Sequence, residues 1–180
     1  MENVTGRYPW ATNDAPAFIG AYRYFVTKCR AIANNAIYVW SPVGNSNLPS
    51  YWPGAEYVDW VGLSMYSYPS WEMAYYGKVR GFVEAFSERY NFVKAYNKPI
   101  MIAEFGAIDT PSGSISYTSP TARDAWLKAA LASAPQFPLL QMFVFFNAQD
   151  PAAWGANYPA PDWRLPPWGL DRLPPPGVTW

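Results

Sequence analysis

The chain has 180 residues, with 13 Lys plus Arg balanced by 13 Asp plus Glu, and no histidine. Zero net charge without any like-charged run argues against nucleic acid, an anionic membrane surface or a strongly anionic substrate as a partner. The missing histidine removes Ser-His-Asp and Cys-His catalysis and the commonest zinc sites, and the single Cys29 excludes an internal disulfide or a CxxC redox pair.

The length suits one domain with a real core, but a complete (β/α)8 barrel usually takes about 250 residues. Aromatics make up 19% of the chain and charged residues 14%. Such a surplus fits either a site that stacks flat sugar rings or an aromatic-rich core, and composition does not separate the two. No apolar run reaches the ~20 residues of a membrane span. Met1-Glu2-Asn3 opens without a signal peptide, which reads as a fragment or a late start.

In chain order, Asp14 and Pro16 introduce a helix whose apolar stripe is Phe18, Tyr22, Phe25, Val26 and Cys29. Cys29 on that stripe reads as a buried, inert thiol. Ile37 to Trp40 is a short buried strand, followed by a Pro-, Gly- and Asn-rich loop to Glu56. Val58 to Tyr66 is a second strand. Val79, Phe82, Val83, Phe86, Tyr90 and Val93 mark a second helix. Ile100 to Glu104 is a third strand, Ser119-Pro120 starts a helix from Thr121 to about Ala132, and Leu140 to Phe146 is a fourth strand. From Ala148 the chain is Pro-rich and loop-like, expected over the mouth of the fold or as an unstructured end. Residues 1–165 form the expected catalytic unit and 166–180 a Pro-rich tail. Alternating strands and helices imply a parallel sheet, either a barrel or a doubly wound one. No GxGxxG or P-loop follows a strand, which weakens the nucleotide-binding forms.

The carboxylates are then the main candidates for acid–base chemistry. Glu84, Glu88 and Asp124 fall on helices and read as solvated, and Asp14 reads as a cap. Asp162 is expected to pair with Arg164. Glu104 differs, because it closes an otherwise apolar strand, and strand C-terminal ends face the active site of a parallel barrel. Tyr66 ends its own strand level with Glu104 and could hydrogen-bond that carboxylate, against the plainer reading of a rim aromatic. Asp59 lies early in its strand and is expected buried and paired at the opposite end. Trp40, at a strand end, is either a sugar platform or core.

Several segments together resemble glycoside hydrolase family 26, the β-mannanase-like type. Glu2 with Tyr8-Pro9-Trp10-Ala11 resembles the acid/base segment, and Val39-Trp40-Ser41-Pro42 the next strand end. Tyr51-Trp52-Pro53-Gly54 and Tyr57 to Ser64 resemble the sixth-strand signature, and Lys98 to Gly106 the nucleophile strand. Phe145-Phe146-Asn147 and Asp162-Trp163-Arg164 resemble the closing region. The matches run from the end of strand four through strand eight, so the resemblance implies a partial (β/α)8 TIM barrel without its N-terminal strands. Two departures stand out. Met1 occupies the place of the family's histidine, and Asn3 adjoins Glu2 where the family spaces Asn two residues on. Counting back from Trp10 favours Glu2 as the acid/base, whereas counting from Asn3 puts that residue before Met1.

The resemblance implies a retaining glycosidase that cleaves a β-linked polysaccharide, β-mannan or a related β-glucan, by double displacement. Glu104 would be the nucleophile and Glu2 the acid/base, with Tyr66 supporting the ionised nucleophile. Trp10, Trp40, Trp154 and Trp163 would be sugar platforms. No metal or organic cofactor is implied. The full-length parent would be extracellular or periplasmic, and this fragment catalytically incompetent. The alternative is a non-catalytic carbohydrate-binding or structural barrel fragment.

Overall fold

The computed structural model describes residues 14–42, 44, 47–108, 122–154 and 157–165. The first helix, α1 (Ala15–Arg30), is capped as its sequence demands: Asp14 Oδ1 accepts from the Ala17 amide at 2.9 Å, Pro16 sits in the first turn, and Lys28 and Arg30 lie in the last. Four strands follow, β1 (Val39–Trp40), β2 (Trp60–Ser67), β3 (Ile100–Ala107) and β4 (Leu140–Phe145). Between β2 and β3 come α2 (Pro69–Tyr76) and α3 (Phe82–Val93), and between β3 and β4 comes α4 (Ala122–Ser133).

All three strand pairings are parallel and the sheet order is β1-β2-β3-β4. Spatial order equal to chain order, with right-handed crossovers, sends successive helices to the same face. The core agrees. Phe82 and Phe86 of α3 and Leu127 and Ala130 of α4 pack with Val61, Leu63, Ile100, Ile102 and Phe105 of the sheet. Phe82 is the hinge of this layer, with ring centroids 6.0 Å from Phe105, 5.6 Å from Trp126 and 6.1 Å from Phe143. On the other face Val39, Met142 and Val144 are exposed. A doubly wound sheet would reverse its order and cover both faces; the described strands do neither.

Four details depart from the sequence reading. The second expected helix begins at Phe82, leaving Val79 exposed, and Pro69–Tyr76 forms a separate helix that the apolar periodicity did not mark. Gly77 explains the break: it takes the left-handed conformation (φ 73°) that ends α2. On α1 the expected stripe faces the core through Phe18, Tyr22 and buried Val26, but Phe25 is 59% exposed and Cys29 is only half-buried. Asp59 is paired as expected, accepting from the Tyr38 amide at 2.8 Å and facing Arg30 at 3.3 Å, yet its side chain is half-exposed rather than buried. The Ser119-Pro120 start and the tail 166–180 lie outside the described residues.

Candidate active site

The site is built by an irregularity in β3. In a regular strand Ile100, Ile102 and Glu104 would share a face, and the first two are buried toward the helices. Glu104 would then enter the core. Instead the register steps from Leu63↔Ile102 to Ser64↔Glu104, so Ala103 is an extra residue opposite the Leu63–Ser64 link. A bulge of this kind re-aims the side chains that follow it. Phe105 resumes the core face beside Met65, and Glu104 turns to the opposite, exposed face together with Ser64 and Tyr66.

Two hydroxyls hold the carboxylate there. Ser64 Oγ and Tyr66 Oη each donate to Glu104 Oε2 at 3.0 Å. Oε1 has no hydrogen-bond partner among the described residues, so the carboxylate is oriented through one oxygen and presents the other. Charge-assisted bonds of this type are stronger than neutral ones. The arrangement suits a fixed, accessible anion that attacks an electrophilic carbon above the strand ends.

Behind Tyr66 lies a second apolar cluster, distinct from the main core, of buried Tyr68, Ile108 and Trp163 with Tyr66, Trp71, Phe146, Trp154 and Tyr158 against them. The loop from Ala148 contributes Trp154 and Trp163, and an antiparallel bridge between Gln149 and Asp162 closes it on itself. The Asp162 carboxylate accepts from Arg164 Nε at 2.8 Å and Nη2 at 2.6 Å, the ion pair expected from the sequence. The hydrogen bonds from Arg164 hold its carboxyl below the usual range, against a smaller opposing effect of burial, with the Arg123 charge assisting. Trp154 Nε1 donates to Asp150 Oδ2 at 2.6 Å. Gly106 makes the packing feasible: a Cβ there would stand 3.1 Å from Trp163 Cε3 and 3.2 Å from the Tyr66 ring.

Of the expected site residues, the fold thus brings Glu104, Tyr66, Trp154 and Trp163 to one end of the sheet. Two expected platforms need correction. Trp40 is 1% exposed and lies in the main core, edge-on to Trp52 at 5.1 Å and Tyr96 at 5.7 Å, so it offers no face to a sugar. Trp163 is also 1% exposed, tilted onto Tyr66 at 4.5 Å, and in this structure it supports Tyr66 instead of presenting an open ring. Glu2 and Trp10 lie outside the described residues. Ser64 was missed by the sequence reading, although its spacing of two from Tyr66 on a strand puts both on one face. Among the described residues no group of three or more His, Cys, Asp or Glu could hold a metal ion, and no helix is long and apolar enough to cross a membrane.

The site is thus a carboxylate held by two hydroxyls on the open face of a parallel α/β sheet whose helices pack on the other face. The chain belongs to glycosyl hydrolase family 26, whose sequence profile matches residues 5–117. It is 31% identical over 170 residues to endoglucanase H of Acetivibrio thermocellus, covering 88% of this chain and 17% of that protein. It is 34% identical over 110 residues to mannan endo-1,4-beta-mannosidase A and B of Caldalkalibacillus mannanilyticus, covering 58% and 18%. The chain therefore spans less than a fifth of these curated relatives. The fold resembles an endo-beta-1,4-mannanase double mutant of Cellulomonas fimi, with a TM-score of 0.54 and 21% identity over 88% of this chain and 35% of that one. It also resembles the catalytic domain of the Bacillus sp. JAMB-750 GH26 endo-beta-1,4-mannanase, with a TM-score of 0.53 and 20% identity over 86% and 40%.

Proposed function

We propose that Glu104 is the nucleophile of a retaining glycoside hydrolase that cleaves β-linked polysaccharide, a β-mannan or related β-glucan. One observation carries this reading: the bulge at Ala103 turns Glu104 out of the core, and two hydroxyls then fix its Oε2. The sheet itself is read as strands five to eight of a (β/α)8 barrel, in agreement with its unreversed order and its open second face.

In the first step Glu104 Oε1 attacks the anomeric carbon, the glycosidic C–O bond breaks, and an ester to the sugar forms. The acid/base carboxyl, assigned to Glu2, gives its proton to the departing oxygen. In the second step the same group takes a proton from water, the water oxygen attacks the anomeric carbon, and the ester to Glu104 is released. Retention by this route needs the two carboxyls about 5 Å apart. Ser64 and Tyr66 hold the nucleophile in line, and Trp10 and Trp154 supply flat apolar faces for sugar rings. No metal or organic cofactor takes part. An extracellular or periplasmic enzyme fits a polymeric substrate of this kind. The 180 residues alone turn over far more slowly than an enzyme carrying a closed barrel, because a nucleophile displaced by 1 Å can lose ~100-fold in rate.

The test uses an enzyme that carries this chain and a panel of soluble β-mannan and β-glucans. NMR of the first-formed product shows the retained anomer, and Glu104→Ala removes nearly all hydrolysis. Inversion of the anomer, or an alanine variant with substantial activity, overturns the assignment.

A further inference from the structure

The helix α2 has no duty in the strand–helix alternation, because α3 already makes the crossover from β2 to β3. It nevertheless folds over eight residues, Pro69–Tyr76, directly after the strand end that carries Tyr66. Segments that follow the C-terminal ends of parallel strands border the site. The α2 helix therefore stands on the rim beside Glu104, and its sequence supplies Trp71, Tyr75 and Tyr76.

Of these rings only Trp71 packs against a buried cluster, while Tyr75 and Tyr76 are exposed. Trp71 and Tyr75 lie parallel, with centroids 4.9 Å apart and planes 7° from one another. Tyr75 is 70% exposed, and its described ring contacts are with Trp71 and Tyr76 of its own helix. Trp71 links this pair inward, standing edge-on to Trp154 at 6.0 Å, and Trp154 stands edge-on to Tyr66 at 6.3 Å. A continuous line of aromatic contacts thus runs from the exposed Tyr75 to the hydroxyl that binds Glu104.

The platform is also rigid. Glu72, on the same helix and 4% exposed, accepts from Ser67 Oγ at 2.9 Å, the Tyr68 amide at 3.1 Å and the Arg80 amide at 2.8 Å. It ties the end of β2, the helix and the segment beyond it to one carboxylate. The Arg80 guanidinium covers Tyr76 at 3.6 Å. Two stacked rings on a helix fixed in this way lose little freedom on binding a ligand, which is the condition for useful affinity at a surface site.

We propose that Trp71 and Tyr75 form a distal sugar-binding platform that holds the same β-linked glycan chain as it leaves the Glu104 site. The proposal rests on the reading of that site as a glycosidase centre. A polymer cleaved at Glu104 must cross the rim, and the C–H faces of its sugars match the outer face of the exposed Tyr75 ring, which Trp71 backs from the inner side. Tyr76, covered by Arg80, acts as backing.

The test measures binding in the full chain with Glu104→Gln in the background, so that no substrate is consumed. The probes are β-1,4-linked mannan and glucan hexasaccharides and disaccharides, followed by calorimetry. Tyr75→Ala is expected to weaken hexasaccharide binding about fivefold and Trp71→Ala with Tyr75→Ala about tenfold or more, with a smaller loss for the disaccharides. Tyr75 is exposed enough that its removal leaves the fold intact, which circular dichroism checks. Unchanged hexasaccharide affinity in Tyr75→Ala and the folded double variant overturns the platform, as does a parent chain that binds neither hexasaccharide. Platform-dependent binding by this chain, together with undiminished hydrolysis when Glu104→Ala is placed in an enzyme that carries the chain, would sink the glycosidase reading alone. Loss of hydrolysis in that Glu104→Ala enzyme with no platform effect on binding would sink the platform alone.

Discussion

Tyr66→Phe isolates one of the two bonds that orient the nucleophile. The substitution removes a single oxygen and keeps the ring that packs on Trp163 at 4.5 Å and on Phe146 at 5.8 Å. What is lost is the 3.0 Å donation to Glu104 Oε2. A hydrogen bond to a charged group contributes about 1.5–3 kcal/mol. If that orientation is needed at the transition state, kcat falls by roughly 10- to 100-fold, since each 1.4 kcal/mol is a factor of ten. Ser64→Ala removes the second 3.0 Å donor to the same oxygen. Each single variant leaves one donor in place, so the double variant should lose more than the product of the two single losses. Steady-state kinetics on a soluble β-mannan, with thermal melts to confirm equal folding, give the four corners of the cycle. Wild-type kcat in Tyr66→Phe within twofold, or strictly multiplicative losses, would refute the idea that these hydroxyls act together on Glu104.

Deletion of Ala103 should realign β3 without its bulge, drive Glu104 toward the helix face, and abolish activity while lowering the melting temperature, both measurable on one preparation. Trp40→Ala should cost about 3–5 kcal/mol in denaturant unfolding, as a buried aromatic does, with no selective loss of glycan affinity. Gly106→Ala should push Tyr66 or Trp163 by a few tenths of an ångström, and slow hydrolysis more than it weakens substrate binding, seen as a fall in kcat at similar KM. The Asp162 carboxyl is depressed, so its contribution to stability is complete above its ordinary value of 3.8 and disappears as the pH falls through the lower folded value. Tryptophan fluorescence should therefore report loosening around Trp163 only in strong acid, and Asp162→Asn should show the loosened signal at neutral pH.

Much of the fold was legible because it rests on periodicity. The apolar runs from Ile100 and from Leu140 marked two of the strands, although β4 buries only Leu140 and leaves Met142 and Val144 exposed, and Asp14 with Pro16 marked the start of α1. A carboxylate closing an apolar run singled out Glu104, and the expected hydrogen bond from Tyr66 is present, but β3 runs on to Ala107 and Ser64 is the residue level with Glu104, Tyr66 lying level with Gly106. The bulge was not legible, because nothing in Ile102-Ala103-Glu104 distinguishes a regular strand from one with an extra residue; the register of two neighbouring strands decides it. Periodicity likewise gave no sign of α2, since eight residues rich in aromatics carry too little pattern, and only Gly77 marked its end. Trp40 shows the limit of strand-end reasoning. Its side chain points to the helix face, where Trp52 and Tyr96 enclose it.

The most direct test of the account is chemical trapping of the nucleophile. A fluorosugar glycoside that forms a slowly hydrolysed ester with retaining enzymes is incubated with an enzyme that carries this chain, and the adduct is located by peptide mass spectrometry. One sugar per chain is expected, on Glu104, with no adduct in Glu104→Gln. An adduct on any other residue, or inactivation without an adduct, would contradict it.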